Sequence, residues 1–306
     1  MRYSSRYARR PSIHWSCSSS GGSIRLIQDY RLPQTLGNEC SGVVERVGSR
    51  VGKFRPGDAV YTRLPLERIG AFAEYVAVRE QVVAKMPAGY AFDVAAAIPL
   101  TGLTAWQGLV EELQVQSGQR LLIPGGSGSF GQMAVPIARS LGLRVVVTGN
   151  ERSREAFLAM GAERYIDYRR ENYWEELSGV DAVIDTLGAG EFEHELSVLK
   201  PGGRLLSLRT APNGEFARRN GFPWYKRALF TLAGMKYDRA ARRQGKEYRF
   251  LFVHADGEQL RRITELVERE HIVPAIDPHC FSLEEINDAL RLVAEGPLRR
   301  KVIIRM

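Results

Sequence analysis

Leu121-Leu-Ile-Pro-Gly125-Gly-Ser-Gly-Ser-Phe-Gly131 decides the fold. Gly126, Gly128 and Gly131 form a GxGxxG element, with Ser127, Ser129 and Phe130 completing the loop. Such an element carries weight only where it follows a strand and opens a helix. Both conditions hold: residues 120–123 are a short β-type run and residues 131–141 read as a helix. One glycine makes the tight turn and the next lets backbone N–H groups approach a pyrophosphate. The third lets helix and strand pack closely. The helix N-terminus adds unpaired N–H groups and a partial positive charge facing the phosphates. A purely structural Gly-rich turn is the competing reading.

The next strand selects the dinucleotide. An NAD site carries Asp or Glu at that strand's tip, about 20 residues on, to bond the ribose 2′-OH. Here the tip reads Val147-Thr-Gly-Asn150, and Arg152 and Arg154 follow at once. Guanidinium groups can grip a 2′-phosphate bidentately, where a carboxylate would repel it. NADP(H) is therefore the expected cofactor, with Asn150, Arg152 and Arg154 near its phosphate. Glu151 is the dissonant neighbour, expected to point away. The alternative is that both arginines only cap the helix surface.

Outward from the loop, short β runs alternate with helical stretches. Strands are expected at 144–147, 165–167, 182–185 and 204–208, with helices at 153–160 and 191–199 between them. That rhythm implies a parallel sheet covered on both faces. Residues 211–247 break it and carry the apolar group Phe222, Trp224, Tyr225, Leu229 and Phe230. A packed insertion or subunit contact is favoured there over a membrane-surface helix. A strand at 250–253, helices at 259–268 and 282–295 and a closing strand at 301–304 follow. Before the loop, residues 40–47, 59–62 and 71–78 read as three strands of a small antiparallel β unit.

The composition is that of a soluble globular chain. Of 306 residues, 44% are hydrophobic and 25% charged. No apolar run reaches the roughly 20 residues of a membrane-crossing helix, and no secretory signal is seen. Cys17, Cys40 and Cys280 lie too far apart for a disulfide framework or a CxxC metal knuckle, which points to a reducing cytoplasm. The net charge of +8 raises nucleic-acid binding. No zinc finger, aromatic RNA-binding motif or basic heptad accompanies it, so a solvated face or attraction for an anionic cofactor is the better account.

Several ordered stretches carry a family resemblance over residues 24–306. They are Gly37-Asn-Glu-Cys-Ser-Gly-Val-Val44, the turn of 51–60 with its Gly57-Asp-Ala-Val60, Gly70-Ala-Phe-Ala-Glu-Tyr75 and the Ala-rich helix of 95–108. The glycine loop, Gly161-Ala162, Asp185, Lys200-Pro-Gly-Gly203 and Lys301-Val-Ile-Ile304 continue the series. Together they resemble the zinc-independent medium-chain dehydrogenase/reductases of the quinone oxidoreductase (zeta-crystallin-like) group. The resemblance implies an α/β fold in which a β-rich GroES-like domain, residues 24–92 and 272–306, encloses a Rossmann NADP-binding domain, residues 93–271. It suggests that Tyr168 helps contact the 2′-phosphate. It also suggests that Gly188, Leu208, Phe250 and Phe252 lie along the nicotinamide half and that Thr104 reaches the carboxamide. Tyr61 and Tyr75, in the catalytic half, are the candidate acids, with core or surface packing as their alternative. A homodimer is expected, since domains of this family pair by edge strands.

Catalytic-zinc relatives carry His in a Gly-His-Glu motif, because imidazole is a good zinc donor. Asn38 stands at that position, and the four-cysteine lobe of a structural zinc is missing. None of His14, His194, His254, His271 or His279 lies at ligand spacing from a cysteine. No metal site is expected. An acceptor that is already polarised then needs least help, which favours quinones and α,β-unsaturated carbonyls. A zinc-free alcohol dehydrogenase or an enoyl reductase is the second enzyme reading. A non-catalytic NADPH-binding or RNA-binding protein is the reading from another class. Residues 1–23 depart from the family, being basic and Ser-rich where relatives have strands. A frameshifted or misassigned start would account for this; a chain real as written would leave the catalytic barrel incomplete.

Overall fold

The computed structural model describes residue 27, residues 33–295 and residues 300–306. The atypical stretch 1–23 lies outside the described residues. The chain divides into two compact units, one from residues up to Leu103 together with Val253–Met306, the other Thr104–Phe252.

In the first unit, β1 (Glu39–Val43), β2 (Ala59–Arg63) and β3 (Val83–Lys85) form an antiparallel sheet in that order. A tight turn places Gly57 at φ +94 and returns its N–H to the carbonyl of Val44. That is a backbone state a residue with a Cβ rarely adopts. The expected strand at 71–78 does not form. Its period-2 alternation is real, but Gly70 and Ala71 both donate to the carbonyl of Gly37, and Phe72 donates to that of Leu36. The start of the segment hangs on a local loop, and β3 takes its place in the ladder. Helix α1 (Phe92–Ala96) and helix α2 (Pro99–Trp106) follow, the second running into a π-helical turn at Gln107–Glu112.

The second unit holds a six-stranded sheet in the order β6-β5-β4-β7-β8-β9, every pair parallel. Its strands and helices alternate along the chain. They are β4 (Arg120–Ile123), α3 (Ser129–Ser140), β5 (Arg144–Gly149), α4 (Arg154–Ala159), β6 (Arg164–Asp167), α5 (Tyr173–Glu176), β7 (Val180–Asp185), α6 (Phe192–Val198) and β8 (Leu199–Ser207). Buried runs such as Leu121-Leu-Ile123 and Val145-Val-Val147 mark strands covered on both faces. The β8–β9 connection is helical, with α7 (Gly214–Arg219) and α8 (Trp224–Arg243) leading to β9 (Glu247–Phe250). The edge strand thus lies earlier than the apolar run 250–253 suggests. It alternates, with Tyr248 and Phe250 buried and Glu247 exposed.

The chain then returns to the first unit through α9 (Gly257–Arg269), whose N-cap Asp256 accepts from the N–H groups of Glu258 and Gln259. β10 (Ile276–Ser282) pairs in parallel with β11 (Lys301–Arg305), and α10 (Ile286–Glu295) lies between them in sequence, shorter than the expected 282–295. A buried ion pair crosses this unit: Glu39 on β1 accepts from Lys301 on β11 and from the N–H of Leu100. Among the described residues, no helix is long and apolar enough to cross a membrane.

Candidate functional site

The glycine loop joins β4 to α3 at the carboxyl edge of the parallel sheet, where α/β sheets bind ligands. Its glycines are required by contact. A Cβ on Gly131 would collide with the carbonyl oxygen of Gly126. One on Gly126 would lie 2.8 Å from the carbonyl oxygen of Ile123. A Cβ on Gly128 would meet nothing within 4 Å, so that glycine leaves the mouth of the loop open. Gly128 is also the N-cap of α3 and offers no capping side chain. The first-turn N–H groups there suit an anion. Two hydroxyls anchor the loop: the N–H of Gly125 donates to Thr148 Oγ1 at 2.9 Å, and Thr186 Oγ1 donates to the Pro124 carbonyl at 2.7 Å.

At the tip of β5, Gly149 has no room for a Cβ against the Tyr165 hydroxyl and the Ser127 side chain. Tyr165 donates to the Asn150 carbonyl at 2.7 Å, while the buried Asn150 Oδ1 has no partner. The two arginines separate here. Arg154 Nε donates to both Glu151 oxygens, at 3.0 and 3.1 Å, and its Nη1 donates to the Tyr165 carbonyl. Glu151 therefore turns to Arg154, and Arg154 is tied down. Arg152 is exposed and forms no ion pair among the described residues. Tyr168, at the β6 tip, is 56% exposed and carries the Arg169 guanidinium over its ring. Sequence reasoning missed Tyr165 and Arg169. The Tyr-Arg-Arg run after β6 repeats the cationic pattern after β5 and was the available signal.

Asp185 organises the other half of the edge, a role its sequence match did not disclose. Its Oδ1 accepts from the N–H groups of Leu187 (2.8 Å) and Gly188 (2.7 Å). Its Oδ2 accepts from Ser207 Oγ (2.6 Å) and Thr210 Oγ1 (3.0 Å). One buried carboxylate thereby ties the loop after β7 to the loop after β8. Gly188 sits at φ +100, and the N–H of Leu208 donates to the Asp185 carbonyl. Phe250 ends β9 and is buried; Phe252 lies just beyond it.

Behind Asp185, Glu195 on α6 is fully buried; neither carboxyl oxygen accepts a hydrogen bond, and a protonated carboxyl there is a donor towards Asp185. Burial first, then the negative charges of Asp185 and Glu191, push its pKa up to about 10. The folded value thus lies above the unfolded one. Stability is full below the ordinary carboxyl range and is lost as pH rises towards the folded value, at about 1.4 kcal/mol per pH unit between the two. Glu195→Gln, which does not titrate, is expected to gain on the native chain with pH. Thermal unfolding should show a small difference at pH 5 and several degrees in favour of the variant at pH 8. A gap that does not change with pH would rule out a buried neutral carboxyl.

The candidate acids fall in different settings. Tyr61 is fully buried, with its hydroxyl committed to the Leu260 carbonyl and to Thr264 Oγ1 and its pKa raised by burial. That is the environment of a core tyrosine. Tyr75 is 38% exposed on the irregular segment after Gly70. Thr104 lies on α2, partly buried, in the second unit. Asn38 is fully buried, and neither of its side-chain amide atoms has a partner. A neutral amide is a poor zinc donor, and the adjacent Glu39 is taken by Lys301 and Leu100. No group of three or more His, Cys, Asp or Glu among the described residues is placed to hold a metal ion. These side chains do not fit a zinc centre.

Residues 15–88 match the family described as alcohol dehydrogenase GroES-like domain, and residues 160–304 match the zinc-binding dehydrogenase family. The chain is 30% identical over 292 residues to the mitochondrial NAD(P)H oxidoreductase RTN4IP1 of Mus musculus, covering 90% of this chain and 71% of that one. It is 30% identical over 285 residues to the 2-methylene-furan-3-one reductase of Solanum lycopersicum, covering 90% and 64%. With the quinone oxidoreductase of Homo sapiens it shares 33% over 182 residues, 57% of this chain and 55% of that one. It therefore spans less than two thirds of the last two relatives. Among solved structures, the quinone oxidoreductase from Coxiella burnetii superposes with a TM-score of 0.80 at 25% identity, covering 100% of this chain and 90% of that one.

Proposed function

We propose that this chain, which belongs to the medium-chain dehydrogenase/reductase family in its quinone oxidoreductase-like group, is an NADPH-dependent reductase of quinones or other α,β-unsaturated carbonyls. The observation that carries the reading is the β5 tip. Gly149 admits Ser127 of the glycine loop, no carboxylate waits for a ribose 2′-OH, and Arg152 stands exposed without an ion-pair partner among the described residues. When bound, NADPH supplies the hydride. The chain's part is to hold the pyrophosphate on the N–H groups of 126–131 and the 2′-phosphate on Arg152. Asp185 fixes the two loops that the family resemblance assigns to the nicotinamide half. The tomato relative's name describes an enone reductase, which supports a conjugated carbonyl as acceptor. The open edge of β9 suits pairing with a second copy into a homodimer.

The test is cofactor choice followed by turnover. A hydrogen bond to a charged group contributes about 1.5–3 kcal/mol, so one or two made only with the 2′-phosphate favour NADPH over NADH by about ten- to several-hundred-fold. Arg152→Ala is expected to remove most of that gap while leaving NADH affinity nearly unchanged, as read by cofactor fluorescence titration. Arg154→Ala, which breaks the ties to Glu151 and Tyr165, should affect stability more than selectivity. Equal affinities of the native chain for the two cofactors would defeat the NADPH assignment. NADPH that binds but is not oxidised by either a benzoquinone or a conjugated enone would defeat the enzyme assignment.

A further inference from the structure

The apolar group of the β8–β9 connection divides in the structure. Phe230 is buried, its ring edge-on to Phe216 and Phe222. Trp224 (77%), Tyr225, Leu229 and Leu232 (65%) remain exposed. Their positions on α8 follow from helical periodicity. Phe230, Gly234, Tyr237 and Ala241 form the buried stripe. Trp224, Tyr225, Ala228, Leu229 and Leu232 lie on the opposite side through the first three turns. The same outer side continues as Lys236, Arg239, Arg242 and Arg243, all exposed and without an ion-pair partner among the described residues. Asp238, the helix's single acid, accepts from the Asn213 amide at 2.8 Å and forms no ion pair with those cations. One face thus runs from apolar to cationic over a helix about 30 Å long.

We infer that this face of α8 docks on an anionic lipid surface. An exposed Trp and Tyr beside leucines suit the headgroup boundary, where an amphipathic ring keeps one part apolar and one part wet. The four cations adjoin that patch and are drawn to phosphatidylserine-type headgroups. A second copy of the chain offers no such complement. A two-fold contact sets the same patch against itself, which could cover the apolar turns but brings the cationic turns only further positive charge. A lipid surface supplies both the apolar layer and the negative charge, and a reductase held there meets lipophilic acceptors where they dissolve.

The test uses the full chain with vesicles of phosphatidylcholine alone and of phosphatidylcholine containing phosphatidylserine. Co-sedimentation should show at least about ten-fold more chain on the anionic vesicles at low salt, and the difference should fade at high salt. Two double variants, Trp224→Glu with Leu232→Glu and Arg239→Glu with Arg243→Glu, should each reduce binding by about ten-fold or more. All four positions are exposed, so unfolding midpoints and cofactor affinity should stay native. Absence of binding to the anionic vesicles, or binding that either variant leaves unchanged, overturns the inference. A mass by light scattering that falls when Trp224 and Leu232 are replaced also overturns it, by showing that a second copy covers the patch. No readout depends on turnover.

Discussion

Lys301→Met is expected to destabilise the first unit by about 3–5 kcal/mol, the cost of stranding a buried charge. Lys301 and Glu39 are each about 1% exposed and face one another across β11 and β1. Met fills much of the volume of Lys but offers no charge, so the Glu39 carboxylate keeps only the Leu100 N–H at 2.7 Å and the field of the buried Arg63. The double variant Glu39→Gln with Lys301→Met removes both charges of the pair and should recover part of the loss, the remainder being the cost of taking the Glu39 charge from the buried Arg63. The chain has two units, so a single unfolding curve is ambiguous. Hydrogen exchange at β1 and β11 assigns the transition. A loss under about 1 kcal/mol in the single variant would mean that water reaches the pair.

The second large effect belongs to Gly131→Ala. One added methyl meets the Gly126 carbonyl oxygen, which is backbone and cannot swing aside as a side chain would. Either the loop shifts or α3 moves off the sheet, and the N–H groups lose their convergence on the phosphates. Cofactor affinity for both NADPH and NADH should fall by about two orders of magnitude, equivalent to roughly 2.7 kcal/mol. Gly128→Ala provides the contrast, since its Cβ meets nothing in the chain. Its effect reports only on how closely the cofactor approaches. Fluorescence titration of both variants decides the matter, and a Gly131→Ala chain binding within three-fold of native would show that the loop can relax.

Much of this was legible in the sequence because the β4–α3 corner is a local device. The strand, the glycines and the helix lie within one short stretch, and their spacing states their contacts. The parallel sheet followed from apolar runs such as Val145-Val-Val147. What escaped depended on distant partners. The alternation of 71–78 implies a strand only if a ladder is free to receive it, and the leading N–H groups of that segment go to Leu36 and Gly37 instead. Arg152 and Arg154 look alike in sequence, yet one is tied to Glu151 and Tyr165 and the other is not. Asp185 could be matched to a family position, but its four bonds reach residues 187, 188, 207 and 210. Glu195 was within reach: Phe192, Glu195 and Leu196 share the spacing of one inward helix face, and all three are buried.

The Glu39–Lys301 pair, 262 positions apart along the chain, also has a consequence in time. At about 5–20 residues per second of synthesis, β1 waits roughly 13–50 s for the strand that neutralises its carboxylate. The second unit is one continuous stretch and can close while translation proceeds. The first lacks its β10–β11 sheet, and with it the partner of Glu39, until residue 301 emerges. A nascent chain stalled before β11 should therefore carry a protease-resistant second unit and a protease-sensitive amino-terminal segment, the state in which a chaperone would find it.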